Sequence, residues 1–263
     1  MGTNPIGGWL KRDGVLLHTF TYEGDGPDLL LVPGITSPAM TWGFVAERLA
    51  EFARVTVVDV RGRGLSDHTP GLDYSLDALA RDTLAVAATL DRPILVGHSM
   101  GGRIAVAASA IDPTAFARTI VVDPPVSGPG RRPYPSPLPP YLEMMDEIAR
   151  GGGIEAVKRT MPTWTEAQCR ARADWLPTCS VEGVVATYES FHNEDMHALL
   201  PKAALPMLLI YAQNGDVVRE SDAAEFTGLA PDCKAERIDD AAHMIPWDQL
   251  DAFIASVRAF ALA

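Results

Sequence analysis

Short apolar, β-branched runs recur along this chain with helical patterns between them, and few architectures accept that alternation. Residues 15–21, 29–32, 55–60, 94–97, 120–122, 208–211 and 235–238 read as strands. Residues 76–90, 100 to about 110, and 250–260 carry apolar side chains at helical spacing. Strands separated by helices need crossover connections, which predicts an α/β fold: a mostly parallel central sheet flanked by helices. Sheets of this kind bind ligands beyond the carboxyl ends of their strands. Gly34, Asp59, Ser99, Asp123, Asp216 and His243 all fall at or just after such ends.

The rhythm breaks between residues 124 and 206. A Pro/Gly/Arg-rich run from 124 to 140 is followed by helix-like segments at 141–150, 154–161, 166–175 and 181–191. An insertion at the carboxyl edge of a sheet is placed to roof a site, since loops there tend to carry function. The expected organisation is one domain: residues 1–123 and 207–263 form the core, and 124–206 form a helical cap. The plainer alternative is an insertion that touches no substrate.

Composition narrows the function. The 263 residues carry 22 Lys+Arg against 34 Asp+Glu, a net charge of −12. That balance argues against nucleic acid and against anionic membrane surfaces as partners. No stretch approaches the roughly 20 apolar residues of a membrane span, and the first ten residues lack a signal-peptide core. Cys169, Cys179 and Cys233 are far apart and odd in number. They read as free thiols in a reducing, cytoplasmic setting, with no metal-ligand spacing and no cofactor implied.

The most specific local signal is Gly97-His98-Ser99-Met100-Gly101. It follows a strand and opens a helix, the context that a G-x-S-x-G turn requires. Small residues on either side let Ser99 protrude from a sharp turn as a nucleophile. The Met100 N–H, at the helix start, is then placed to meet a developing oxyanion. A serine hydroxyl needs a base. His243, after the last strand and before the final helix, is the best placed of six histidines; His98, inside the turn, reads as a local packing or hydrogen-bonding residue. The acid that orients the histidine is open between Asp216, favoured by the chain order Ser, Asp, His, and Asp123 on the neighbouring strand end. The second oxyanion donor is expected from Pro33-Gly34-Ile35-Thr36, at the N–H of Ile35.

These residues resemble the α/β-hydrolase fold over nearly the whole chain. Asp59-Val60-Arg61-Gly62-Arg63-Gly64-Leu65-Ser66 is similar to the D-x-R-G-x-G-x-S segment of many such proteins, and its Asp and Arg read as structural. Four stretches further resemble the N-formylmaleamate deformylases of nicotinate degradation: Leu31 to Pro38, Thr41 to Arg48, Val122 to Arg132, and His243 to Asp248. That resemblance implies hydrolysis of N-formylmaleamate to maleamate and formate through a formyl-Ser99 intermediate, without metal or cofactor. It also moves the triad acid to Asp123, with Asp216 as the alternative. An anionic amide or imide substrate needs a cation, and Arg131 or Arg132 is the expected carboxylate clamp; Trp42 is a further candidate for the substrate pocket, and Trp164, Trp175 and Trp247 could also wall it, with core packing as the competing role of each. Rival readings are a short-chain carboxylesterase or C–C bond hydrolase of the same fold and, more remotely, a non-catalytic binding protein.

Overall fold

All seven anticipated strands are present, within one or two residues at each end, and one more precedes them. The computed structural model describes residues 4–263. In chain order its elements are β1 (Ile6–Arg12), β2 (Val15–Tyr22), β3 (Asp28–Val32), α1 (Gly43–Leu49), β4 (Arg54–Asp59), α2 (Leu76–Ala87), β5 (Ile94–His98), α3 (Met100–Ile111) and β6 (Arg118–Val122). Then come α4 (Pro139–Glu147), α5 (Gly153–Thr160), α6 (Glu166–Trp175), α7 (Val181–Asn193), β7 (Met207–Ala212), α8 (Glu220–Leu229), β8 (Cys233–Ile238), α9 (Ile245–Asp248) and α10 (Leu250–Ala261). The unanticipated strand is β1. Its Gly7-Gly8 pair weakens the strand signal, and pairing with β2 along its whole length compensates.

The sheet runs β1-β2-β4-β3-β5-β6-β7-β8. β1 and β2 are antiparallel additions at one edge, and the strands from β4 to β8 pair in parallel. β3, with all five residues buried, and β5, likewise, lie in its middle. Alternation along these strands splits the core. Leu30, Val32, Leu95 and Val121 face α2 and α3. Leu29, Leu31, Val96 and Ile120 face the side covered by Val45 and Leu49 of α1 and Phe253 of α10. The edge strand β8 is guarded by exposed Lys234, Glu236 and Arg237, which blunt further pairing.

Residues 124–206 supply α4 to α7. Helix α6 opens on a capping box: Thr165 Oγ1 accepts from Gln168 N, while Gln168 Oε1 accepts from Thr165 N at 2.8 Å. Ser180 Oγ caps α7 by accepting from Gly183 N at 3.2 Å. Such caps are each worth about 1 kcal/mol. Buried arginines of the core then tie the insertion down. Arg63 donates to Gly183 O and Thr187 Oγ1 on α7, at 3.1 and 3.0 Å. Arg103 donates to Pro125 O and Ser127 O at the start of the insertion and to Glu194 O beyond α7.

The Asp59 to Ser66 segment is structural in the way anticipated. Asp59 is fully buried and accepts from Ala39 N, Leu65 N and His18 Nδ1 at 2.7, 3.1 and 2.9 Å. Arg61 makes a bidentate pair with Asp82 at 2.6 and 2.7 Å.

Candidate active site

The turn between β5 and α3 sets the geometry. Ser99 has φ 54° and ψ −118°, a left-handed backbone that non-glycine residues rarely adopt. Holding it costs about 1–3 kcal/mol, and the surroundings enforce it. Ser99 N donates to Val122 O at 2.8 Å, which locks the turn to β6. The flanking glycines are compulsory. A Cβ on Gly97 would stand 2.1 Å from Gly101 O, and one on Gly101 would stand 1.9 Å from Val32 O. The helix therefore sits directly on β3, and the serine is pushed beyond the strand ends.

Asp123 repeats this device on the neighbouring strand. It has φ 45° and its N donates to Ile210 O at 2.8 Å. Its carboxylate is completely buried, and Oδ2 lies 2.6 Å from His243 Nδ1. His243 Nε2 lies 3.1 Å from Ser99 Oγ. A carboxylate is an acceptor, so Nδ1 carries the hydrogen and Nε2 turns its lone pair toward the serine hydroxyl. Ser99, His243 and Asp123 thus form one continuous hydrogen-bond chain.

His98 braces this chain from below. Its Nε2 sits 2.9 Å from His243 O, and a carbonyl only accepts, so Nε2 is the protonated nitrogen. Burial, reinforced by the nearby His243, holds its pKa down at about 3. The imidazole is therefore neutral and ties β5 to the loop that carries His243.

The N–H of Ile35, after β3, and that of Met100, the first residue of α3, make no backbone hydrogen bond among the described residues. Helix N-termini leave such donors free. Gly34 lies close beneath, where a Cβ would meet His98 Nδ1 at 3.4 Å and Ser99 Cβ at 3.5 Å. The loop holding Ile35 is thus pressed against the serine. Ser99 and Ile35 border a cavity of about 340 Å³, lined also by His243, the rest of segment 34–37, Tyr141 of α4, Trp164 and Arg172 of α6.

A match to a protein-family model spans residues 29–256, and the description of that family is alpha/beta hydrolase. The chain belongs to the alpha/beta hydrolase family. This hydrolase is 46% identical over 262 residues to an N-formylmaleamate deformylase of Pseudomonas putida, an alignment covering 99% of the chain and 98% of the relative. A crystal structure of an N-formylmaleamic acid deformylase from Pseudomonas putida S16 superposes with a TM-score of 0.93 at 46% identity, covering 96% and 100% of the two chains. A pimeloyl-[acyl-carrier protein] methyl ester esterase of Aeromonas salmonicida is 26% identical over 90% of this chain and 96% of its own. The crystal structure of an E-2-(acetamidomethylene)succinate hydrolase shares the fold, with a TM-score of 0.80 at 22% identity over 98% and 100% of the chains.

Several expected site residues of the hydrolase lie elsewhere. Asp216 makes no hydrogen bond to His243 and instead forms an exposed ion pair with Arg219 at 2.6 Å. That hydrogen bond holds its carboxyl below the usual range. The residue of this loop that faces the triad is Gly215, where a Cβ would stand 3.7 Å from Asp123 Oδ2. Arg131 and Arg132 also leave the cavity. Arg131 forms a bidentate pair with Glu225 of α8 at 2.8 and 2.9 Å. Arg132 binds Asp222 at 2.5 Å and the carbonyls of Asp216 and Val217. Both are paired with carboxylates of α8 and neither borders the cavity, so neither serves as the clamp expected of them. Trp42 is fully buried in the core against His98 and Trp247, with ring centroids 5.2 and 5.1 Å away, and does not border the cavity. Trp164 borders it instead, stacked on Trp247 at 5.2 Å.

Three residues of the 124–206 stretch, Tyr134, Tyr141 and Arg172, lie at the site and carry almost no sequence signal. Tyr134 stands against Ser99 with its hydroxyl 3.3 Å from that of Tyr141, and burial pushes its pKa well above the phenol range. Arg172 is the third. Its one clue is position: Cys169, Arg172 and Ala173 share the buried stripe of α6, at the i, i+3, i+4 spacing that marks an inward face.

Among the described residues no helix is long and apolar enough to cross a membrane, and no group of three or more His, Cys, Asp or Glu is arranged to hold a metal.

Proposed function

We propose that this enzyme hydrolyses N-formylmaleamate to maleamate and formate, with Ser99 as nucleophile, His243 as general base and acid, and Asp123 as the orienting acid. The observation that carries the substrate is the 46% identity with an N-formylmaleamate deformylase across 99% of the chain. The hydrogen-bond chain from Asp123 to Ser99 is consistent with it.

The steps follow from the geometry. Ser99 Oγ attacks the formyl carbon as its proton passes to His243 Nε2. The imidazolium that forms is stabilised by Asp123, 2.6 Å from Nδ1 in a buried setting. The formyl oxygen gains negative charge and is received by the N–H groups of Ile35 and Met100. The tetrahedral adduct collapses with cleavage of the C–N bond. His243 Nε2–H protonates the departing nitrogen, whose charge is delocalised into the second carbonyl, and maleamate leaves. Water then attacks the formyl-Ser99 ester with His243 as base, releasing formate and restoring the serine.

The formyl carbon is the smallest acyl centre a substrate can present, which suits a nucleophile framed by Gly34, His98 and Trp164. The three free thiols suit a reducing, cytoplasmic setting. The reading is tested by assaying formate and maleamate from N-formylmaleamate with purified enzyme and with Ser99→Ala. Equimolar products are expected, with a loss on the order of a million-fold in kcat for the variant. Absence of formate release by the wild-type enzyme would refute the substrate.

A further inference from the structure

The catalytic cavity borders on one buried cation with no carboxylate beside it. Arg172 is buried on the inner face of α6. Its Nη1 donates to Thr36 O at 2.6 Å and its Nη2 to Thr36 Oγ1 at 2.8 Å. Its Nε has no partner among the described residues. Of the five N–H groups of a guanidinium, three are therefore unmatched by protein acceptors. The ionisable groups that act on it are the Cys179 thiol and the Tyr141 phenol rather than any acid, and burial lowers its pKa. Burial holds the Cys179 thiol at about 11, so it is neutral at pH 7.

The contrast with other arginines is sharp. Arg61, Arg131 and Arg132 each reach a carboxylate within the protein. The two remaining buried ones, Arg63 and Arg103, are anchored on carbonyls of several segments and do not border the cavity. Arg172 alone combines burial, unmatched donors and a place on the cavity wall. A buried charge without a counter-charge is costly. A ligand that supplies the missing anion recovers that cost on binding. The other formally charged side chain at the cavity, Asp248, uses Oδ2 to accept from Ala242 N at 2.9 Å.

We infer that Arg172 binds the substrate's carboxylate and is the residue that selects small anionic amides over neutral ones. The inference rests on the reading of the substrate given above, and it replaces the clamp expected at Arg131 or Arg132. It also has a mechanical side. Thr36, which Arg172 holds, follows Ile35, whose carbonyl accepts from Arg63 Nε at 3.0 Å. Two cations thus grip the short loop that presents the Ile35 N–H. A carboxylate seated on Arg172 acts on that same loop, so the remote end of the substrate and the oxyanion donor are coupled through one guanidinium.

The test is a calorimetric titration in the Ser99→Ala background, which removes any dependence on turnover. Maleamate, which is anionic, is compared with maleamide, its neutral diamide. Adding Arg172→Met is expected to weaken maleamate by about 30-fold and maleamide by about threefold or less. Arg172→Lys should recover part of the loss, and Arg131→Met should move neither ligand. Equal weakening of both ligands, or of neither, would overturn the inference and leave Arg172 as a structural tie. Failure of the wild-type enzyme to release formate, with an Arg172-dependent preference for maleamate intact, would refute the substrate and leave the clamp standing.

Discussion

Replacing Asp123 by Asn isolates one electrostatic interaction with little structural disturbance. Asn is among the few residues that accept a left-handed backbone readily, so the φ of 45° at this position is kept. The side chain has the same shape, and its carbonyl can still accept from His243 Nδ1. What disappears is the negative charge facing the imidazolium that forms as Ser99 attacks. With Nδ1 and Oδ2 2.6 Å apart, the two charge centres are about 4 Å apart. At an effective dielectric of about 20 they attract by about 4 kcal/mol. Losing that term from the transition state lowers kcat by about a thousandfold, and a wrong tautomer of His243 would lower it further. The assay is steady-state formate release, with a urea midpoint to verify folding. Asp216→Asn is the matched comparison. It breaks only an exposed pair with Arg219, and its kcat should stay within about twofold of the wild-type value. A crippled Asp216→Asn beside an active Asp123→Asn would refute the assignment of the acid.

Stability should fall on mild acidification. His98 is neutral in the fold, with its pKa held at about 3, against 6.5 when unfolded. Between those values the unfolded chain binds more protons, so stability is full above pH 6.5 and is lost as pH falls toward 3. From pH 7 to pH 5 His98 alone removes about 2 kcal/mol. His197, also buried and held at about 4, acts in the same direction. Urea midpoints at the two pH values check this, and His98→Gln should flatten the slope; a midpoint that does not move with pH would contradict it. Gly101→Ala should destabilise by more than about 3 kcal/mol, because the added Cβ meets Val32 O at 1.9 Å. Gly228→Ala on α8, with nothing within 4 Å, should instead gain about 0.5–1 kcal/mol, and equal midpoints for the two variants would show that the turn tolerates a side chain.

Legibility in the sequence followed the range of the interaction involved. Strands β2 to β8 were readable because each is a short apolar run closed by local punctuation such as Pro33-Gly34 or Arg61-Gly62. The serine turn was readable because the strand, the glycine-flanked serine and the helix that mark it are contiguous in the sequence, although the close approach that demands Gly101 comes from Val32 on β3. His243 followed from its place after the last strand. Chain order favours Asp216 over Asp123, although both follow strands that end near the histidine loop. The choice lies in which residue of the β7 turn faces inward, and that is Gly215. The arginines mislead for a related reason. Arg131 and Arg132 follow Asp123 closely, but the intervening chain carries them to Glu225 and Asp222 on α8. Arg172, far away in sequence, is returned to the cavity by the packing of α6 against the Thr36 loop. Charges on an insertion are fixed by tertiary contacts that no local pattern encodes.

In the proposed reaction the formyl group passes through an ester on one particular hydroxyl. Rapid quenching of the enzyme with N-formylmaleamate in acid, followed by peptide mapping with mass spectrometry, reads that directly. A formyl adduct should appear on the peptide containing Ser99 within the first turnover and be absent from Ser99→Ala. A formyl adduct on another residue, or formate release by Ser99→Ala at the wild-type rate, would contradict it.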